Sequence, residues 1–180
     1  MDPADALDQF LGEIQARAFR IAVLSVRDRD VALDMVQDAM IRLARNYATK
    51  PSAEWPPLFY RILQNRIRDW QRRQTLRNKV IMVPRKNTDE HDAWQPIESA
   101  PDRAAAGPQK TLQKDAAIER LNEAVGELPQ RQREVFLLRA IEELSVEQTA
   151  TTLDIGAGSV KTHYSRALTN LRDKLGEHWP

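Results

Sequence analysis

Apolar residues recur at helical spacing through most of this chain and nowhere alternate with polar ones for long enough to build a strand. In "DRDVALDMVQDAMIRLARNY", Asp28 to Tyr47, the residues Val36, Met40 and Leu43 fall on one face. After Pro56 and Pro57, "LFYRILQNRIRDWQRRQ" sets Phe59, Ile62, Leu63, Ile67 and Trp70 along a second apolar stripe. "LPQRQREVFLLRAIEEL", from Leu128, is amphipathic, with Pro129 near its start and Val135, Leu138 and Ile141 or Glu142 completing its turns. Ser145 to Leu175, "SVEQTATTLDIGAGSVKTHYSRALTNLRDKL", is two helical patterns with a break between them. Ser145 and Gln148 form a capping box for the first, which ends near Leu153, and "DIG" supplies the turn. The second starts at about Ala157 with Gly156 as N-cap.

Pro84, Pro96, Pro101, Gly107 and Pro108 interrupt this periodicity between the two helical pieces, and there is no Asn-Gly or Asp-Gly hairpin turn. The expected fold is all-α: two small helical domains, residues 1–80 and 116–180, joined by a flexible linker over residues 81–115. Neither piece presents an evident surface for locking the pair into one geometry, so independent movement about the linker is expected.

The polar faces carry more information than the apolar ones. In the last helix Val160, Tyr164, Ala167, Leu168 and Leu171 face inward, while Ser159, Lys161, Thr162, His163, Ser165 and Arg166 face outward. A short helix, a tight turn and a second helix with small, polar and basic residues at its start make a helix-turn-helix. Its second helix is narrow enough to enter a DNA major groove. Arg61, Asn65, Arg68 and Arg72 form a stripe on the Phe59–Trp70 helix. An asparagine among arginines can both donate to and accept from a base edge, which phosphate binding alone does not require. Asp69 can pair with Arg66 or Arg73. The preceding loop, "ATKPSAEWPP", is rich in turn formers and holds Trp55, a composition suited to pockets for unstacked bases. On the earlier helix, Asp30, Asp34 and Asp38 stand four residues apart and are followed by Arg42. Like charges at that spacing weaken an isolated helix. The stripe is therefore either a solvated face or the docking site of a basic partner.

Charge segregation sharpens this picture. The chain of 180 residues has a net charge of only +1, yet residues 61–86 hold nine basic side chains and the single acid Asp69, with acidic excess on either side. Such a block is a polyanion-binding surface or a solvated arginine-rich helix. There are no cysteines, which excludes disulfides, thiolate chemistry and cysteine-bound zinc, and His91, His163 and His178 are too scattered for a metal site. No catalytic constellation is visible and no metal or other cofactor is expected. No apolar run reaches bilayer length. The first residues, "MDPADALDQF", lack the basic flank and apolar core of a signal peptide, so a cytoplasmic address and no membrane insertion are expected.

Both pieces, in this order, resemble the bacterial RNA polymerase sigma factors of the extracytoplasmic-function class. The segment from Leu128 to Leu175 resembles their region 4 almost throughout, in "LPQRQREV", "LSVE", "GSVK" and "RALTNLR". "LDMVQDAMIRLAR" resembles region 2.2, and "LFYRILQNRIRDWQRR" resembles the end of region 2. Asp154 and Gly156 depart from the family's frequent glycine and serine, and Glu143 stands where glycine is common.

The resemblance implies a role for each surface. Asp34, Gln37, Asp38 and Arg42 would bind the clamp helices of core RNA polymerase. Trp55, Arg61, Asn65, Arg68 and Arg72 would serve -10 promoter recognition and opening. Ser159, Lys161, Thr162, His163, Ser165 and Arg166 would serve -35 recognition. Core polymerase and promoter DNA are the implied partners, with an anti-sigma factor as a further one. The linker stretch "TDEHDAWQPIESAPD", with five acids and no Lys or Arg, would either mimic the RNA backbone in a polymerase channel or be a soluble tether. A stand-alone helix-turn-helix regulator remains the alternative. It would leave the acidic stripe and the Asn65 helix without a purpose.

Overall fold

The structure, a computed structural model, describes residues 3–80 and 108–176. The acid-rich stretch of the linker, together with His91 and His178, lies outside the described residues. The described residues are all-helical. Helices α1 (Pro3–Val26), α2 (Arg29–Tyr47) and α3 (Trp55–Val80) form the N-terminal group. Helices α4 (Pro108–Gly126), α5 (Gln130–Ala140), α6 (Val146–Leu153) and α7 (Ala157–Leu175) form the C-terminal group.

Local chemistry sets the helix ends. Asp28 caps α2 by accepting from the Val31 amide at 3.0 Å. A short 3-10 turn, Ser52–Glu54, leads into α3, whose first turn takes up Pro56 and Pro57. Proline is tolerated there because its missing N–H would have no intrahelical acceptor anyway. Ser145 and Gln148 form the expected reciprocal box at the start of α6, at 2.8 and 3.0 Å.

Each group buries the stripe its periodicity marks out. Ile14, Ala18 and Ile21 of α1 meet Ala32, Val36, Ala39 and Leu43 of α2 and Phe59, Leu63 and Ile67 of α3, all of them buried. Alanines at these positions let the first two helices approach closely. In the second group Val135, Leu137 and Leu138 of α5 pack with Leu153 of α6 and Val160, Ala167 and Leu171 of α7.

The expectation that the two groups share no locking surface is overturned. Helix α3 packs along α6, and α1 touches α4. Polar contacts cross the seam: Arg68 of α3 to Glu134 of α5, Arg17 of α1 to Glu142, and the Thr152 hydroxyl to the Pro57 carbonyl. The sequence conceals this seam because its residues are polar, and polar residues in a helical pattern read as solvent-facing.

Candidate nucleic-acid interface

The turn between α6 and α7 is built on a left-handed residue. Asp154 closes α6 at φ 55°, and the Ile155 amide donates back to the Ala150 carbonyl at 3.1 Å. Glu143, before α6, is also left-handed at φ 52°. At both positions the backbone is one in which a Cβ is disfavoured and glycine would sit more easily.

Helix α7 then divides along its length. Its far half is tied down: the Asn170 amide donates to the Gln132 Oε1 at 2.7 Å, and Lys174 pairs with Glu127. Its near half is open. Ser159, Lys161, Thr162, Ser165 and Arg166 are exposed, and among the described residues neither Lys161 nor Arg166 has an ion-pair partner. The Thr162 hydroxyl donates to the Gly158 carbonyl at 3.0 Å, which fixes its rotamer and leaves both lone pairs of the oxygen free to accept. His163 is half-buried. Tyr164 stacks on Phe136 with centroids 6.3 Å apart, and Arg139 lies 5.7 Å over the Tyr164 ring. The exposed side chains span one face of about two turns, the width a major groove admits.

The α3 surface is different. Asn65, Arg61 and Arg72 are exposed, but Arg68 is drawn in, its side chain only 16% exposed. Its guanidinium forks onto Glu134, Nε to Oε1 at 3.0 Å and Nη2 to Oε2 at 3.3 Å. Arg68, Gln71 and Arg72 together with Gln130 and Arg131 line a shallow groove between the two groups. The glutamine and arginine of α5 were not among the expected DNA-facing residues, because only the seam brings them beside α3.

Trp55 requires a correction. It lies not in an open loop but at the start of α3, 4% exposed, with its indole N–H donating to the Tyr47 carbonyl at 3.2 Å and its ring 5.7 Å from Phe10. A ring so enclosed frames the α2–α3 connection and offers no face to an unstacked base. Of the two partners expected for Asp69, Arg66 is instead paired with Asp38 across the helices at 2.9 Å.

On α2, Asp30, Asp34 and Gln37 are exposed. Asp38 is engaged, with Arg42 Nε and Arg66 Nε each 2.9 Å from its Oδ2. Beside this acidic row runs a second one. Leu33 and Ile41, 41% and 49% exposed, flank Gln37 at intervals of four residues. Exposed large apolar side chains next to acids favour a protein-docking surface over a solvated face. The signal was present in the sequence as apolar residues lying off the buried stripe.

The comparisons with known proteins fall on both groups. Residues 118–171 match the family model for sigma-70, region 4. The ECF RNA polymerase sigma factor SigD of Mycobacterium tuberculosis is 36% identical over 86 residues, which are 47% of this chain. The match spans 41% of that relative's own length. A probable RNA polymerase sigma factor of Haemophilus influenzae is 26% identical over 94% of this chain and 90% of its own. Among solved structures, the sigma factor RpoE of Bartonella quintana, in complex with the anti-sigma factor NepR, superposes with a TM-score of 0.64 at 19% identity. That superposition covers 93% of this chain and 95% of RpoE. CnrH, in complex with the cytosolic domain of CnrY, superposes at 0.54 and 22% identity, covering 97% and 95% of the two chains.

Proposed function

We propose that this chain, a homologue of the extracytoplasmic-function sigma factors with a sigma-70 region 4 domain at residues 118–171, is an alternative sigma factor. It binds core RNA polymerase, carries it to promoters, and assists strand opening, while the polymerase makes every phosphodiester bond. The protein is not itself an enzyme and acts in the cytoplasm. No helix among the described residues is long and apolar enough to cross a membrane.

The division of labour follows the surfaces. Residues 1–80 dock on the polymerase through the α2 rows and meet the -10 element through α3. Residues 116–180 read the -35 element through the open half of α7. Lys161 and Arg166 are long enough to reach bases or phosphates, and Asn65 has the donor and acceptor needed at a base edge. The -10 step captures unpaired bases, and contacts to backbone and base must offset an unpairing cost of a few kcal/mol. An anti-sigma protein, of the kind bound to RpoE, is a further proposed partner.

The α2 surface carries the reading. Asp34 and Gln37 are exposed beside Leu33 and Ile41, a combination of acid, amide and apolar side chains that DNA binding alone does not call for. The test is capture of core polymerase by the tagged chain. Asp34→Lys should sharply reduce capture while the helical signal and melting temperature stay as in the parent, because Asp34 has no ion-pair partner among the described residues. Undiminished capture by the folded variant contradicts the assignment of this surface.

A further inference from the structure

Two arginines from different groups converge on one glycine. Arg27 stands in the connection between α1 and α2 at φ 56°, a left-handed position that a long side chain occupies only at a cost. Its guanidinium crosses to the C-terminal end of α4, where Nη2, Nε and Cζ lie 2.6, 3.3 and 3.4 Å from the point a Cβ on Gly126 would occupy. Gly126 is a seat for the guanidinium, and a larger residue there would push it off. From α5, Arg133 donates Nη1 to the Gly126 carbonyl at 2.8 Å. Arg27 is exposed and Arg133 half-buried, so a small ion can reach the pair from solvent.

Among the described residues neither cation has an ion-pair partner, because the neighbouring acids are taken. Glu127 pairs with Lys174, and Glu134 with Arg68 and Arg131. The end of α4 offers only about half a negative charge against two positive ones. Burial, and then the charge of Arg27, push the Arg133 guanidinium below its ordinary value, with Glu134 opposing. Two guanidiniums held together with no acid between them are a donor set for a tetrahedral oxyanion, since each presents its N–H groups as a planar fork and a phosphate can accept from both.

We propose that Arg27 and Arg133, over Gly126, form a binding site for a phosphate group, carried by a free phosphate ion or a small nucleotide, which bridges the N-terminal and C-terminal groups when bound. Neither arginine belongs to the surfaces assigned to DNA or to polymerase, so the site does not rest on the sigma-factor reading. An occupied site neutralises the repulsion and ties the α1–α2 connection to α5. Stability should therefore rise with phosphate and saturate. Phosphate also strengthens burial in proteins generally, but that effect does not saturate and does not depend on one arginine.

The test is the melting temperature of the full chain titrated with inorganic phosphate, and separately with ATP, against sodium chloride at equal ionic strength. The parent should gain stability saturably with at least one of them. Saturation by inorganic phosphate supports the site with the free ion as its ligand, and saturation by ATP alone supports it with a nucleotide. Arg27→Gln should lower the apparent affinity roughly tenfold or more, as loss of one charged fork implies, without lowering the melting temperature in chloride. Gly126→Ala keeps both arginines but fills the seat, and should weaken binding in the same direction with helix content retained. A gain that fails to saturate, or one that both variants keep in full, overturns the site. A lower melting temperature of Arg27→Gln in chloride with the phosphate gain intact also overturns it, and assigns Arg27 to packing alone.

Discussion

Helices α3 and α7 both carry basic, polar faces proposed to meet DNA, and the fold treats them in opposite ways. The near half of α7 is finished and uncovered, with its inner side locked by Val160, Ala167 and Leu171 and its outer side left to solvent. The α3 face is shared: Asn65 looks outward, Arg68 is spent on Glu134, and Trp55 is consumed by the core. A reading helix can be built locally, from one cap and one turn. A surface that another domain covers can be recognised only once the two domains are seen together.

The largest expected effect breaks the comparison at α7. Arg166→Ala should weaken use of double-stranded promoters through the -35 element by about 1 to 3 kcal/mol, the range for one bidentate base contact. Because Arg166 is uncovered, the loss should be equal in the parent and in Glu134→Gln. Initiation rates from promoters with and without the -35 element provide the measurement. Asn65→Ala is expected to cost about 1 kcal/mol, the scale of one hydrogen-bonded contact, at -10 selection and opening. On a template already melted over the -10 element the Arg166 defect should persist, while the part of the Asn65 defect that belongs to opening should vanish. Equal defects of both variants on that template would break the division between the helices.

A smaller effect concerns the frame of the α7 reader. Glu143 at φ 52° bears the cost of a left-handed non-glycine residue, about 1 to 2 kcal/mol, and glycine would regain most of it less its own larger unfolded-state entropy of about 0.5 to 1 kcal/mol. Glu143→Gly should therefore raise stability by roughly 0.5 to 1 kcal/mol in denaturant titration. Asp154→Gly should gain less, since aspartate tolerates this region better.

The smallest effect probes the seam by pH. Burial raises the Glu142 carboxyl above its ordinary value of 4.5, with the neighbouring Tyr60 hydroxyl and Arg17 opposing it. The closed state thus holds the proton more firmly than the open one. Closure should strengthen as pH falls from the raised value to 4.5, gain nothing more from this group below that, and lose the dependence in Glu142→Gln. A spin-label pair at Arg45→Cys and Asp173→Cys, one on each group, read across pH by pulsed dipolar distance measurement, checks the sign.

What could be read in advance follows from where the signal resides. The α6–α7 unit was legible down to its caps, because Ser145, Gln148 and Gly156 act within a few residues of themselves. The apolar stripe of α3 was legible for the same reason, though Tyr60, fully buried against the seam, was not. Helix α1 was not singled out, although Leu7, Ile14, Ala18 and Ile21 carry its period and all are buried. Asp38 was read as facing a partner and Arg66 as a possible mate for Asp69, and only the packing of α2 on α3 joins the two. Trp55 misled because a tryptophan among prolines has the same local chemistry whether it frames a turn or lines a pocket.

The central claim is that this chain gives core polymerase a promoter specificity the core lacks. Run-off transcription by core enzyme on a promoter library, with and without the full chain, tests it most directly. New transcripts that depend on the chain and start downstream of a shared pair of -10 and -35 elements are the predicted result, with only weak, salt-sensitive duplex binding by the free chain. No chain-dependent initiation, together with tight promoter-specific binding by the free chain at moderate salt, would contradict it and establish a stand-alone regulator.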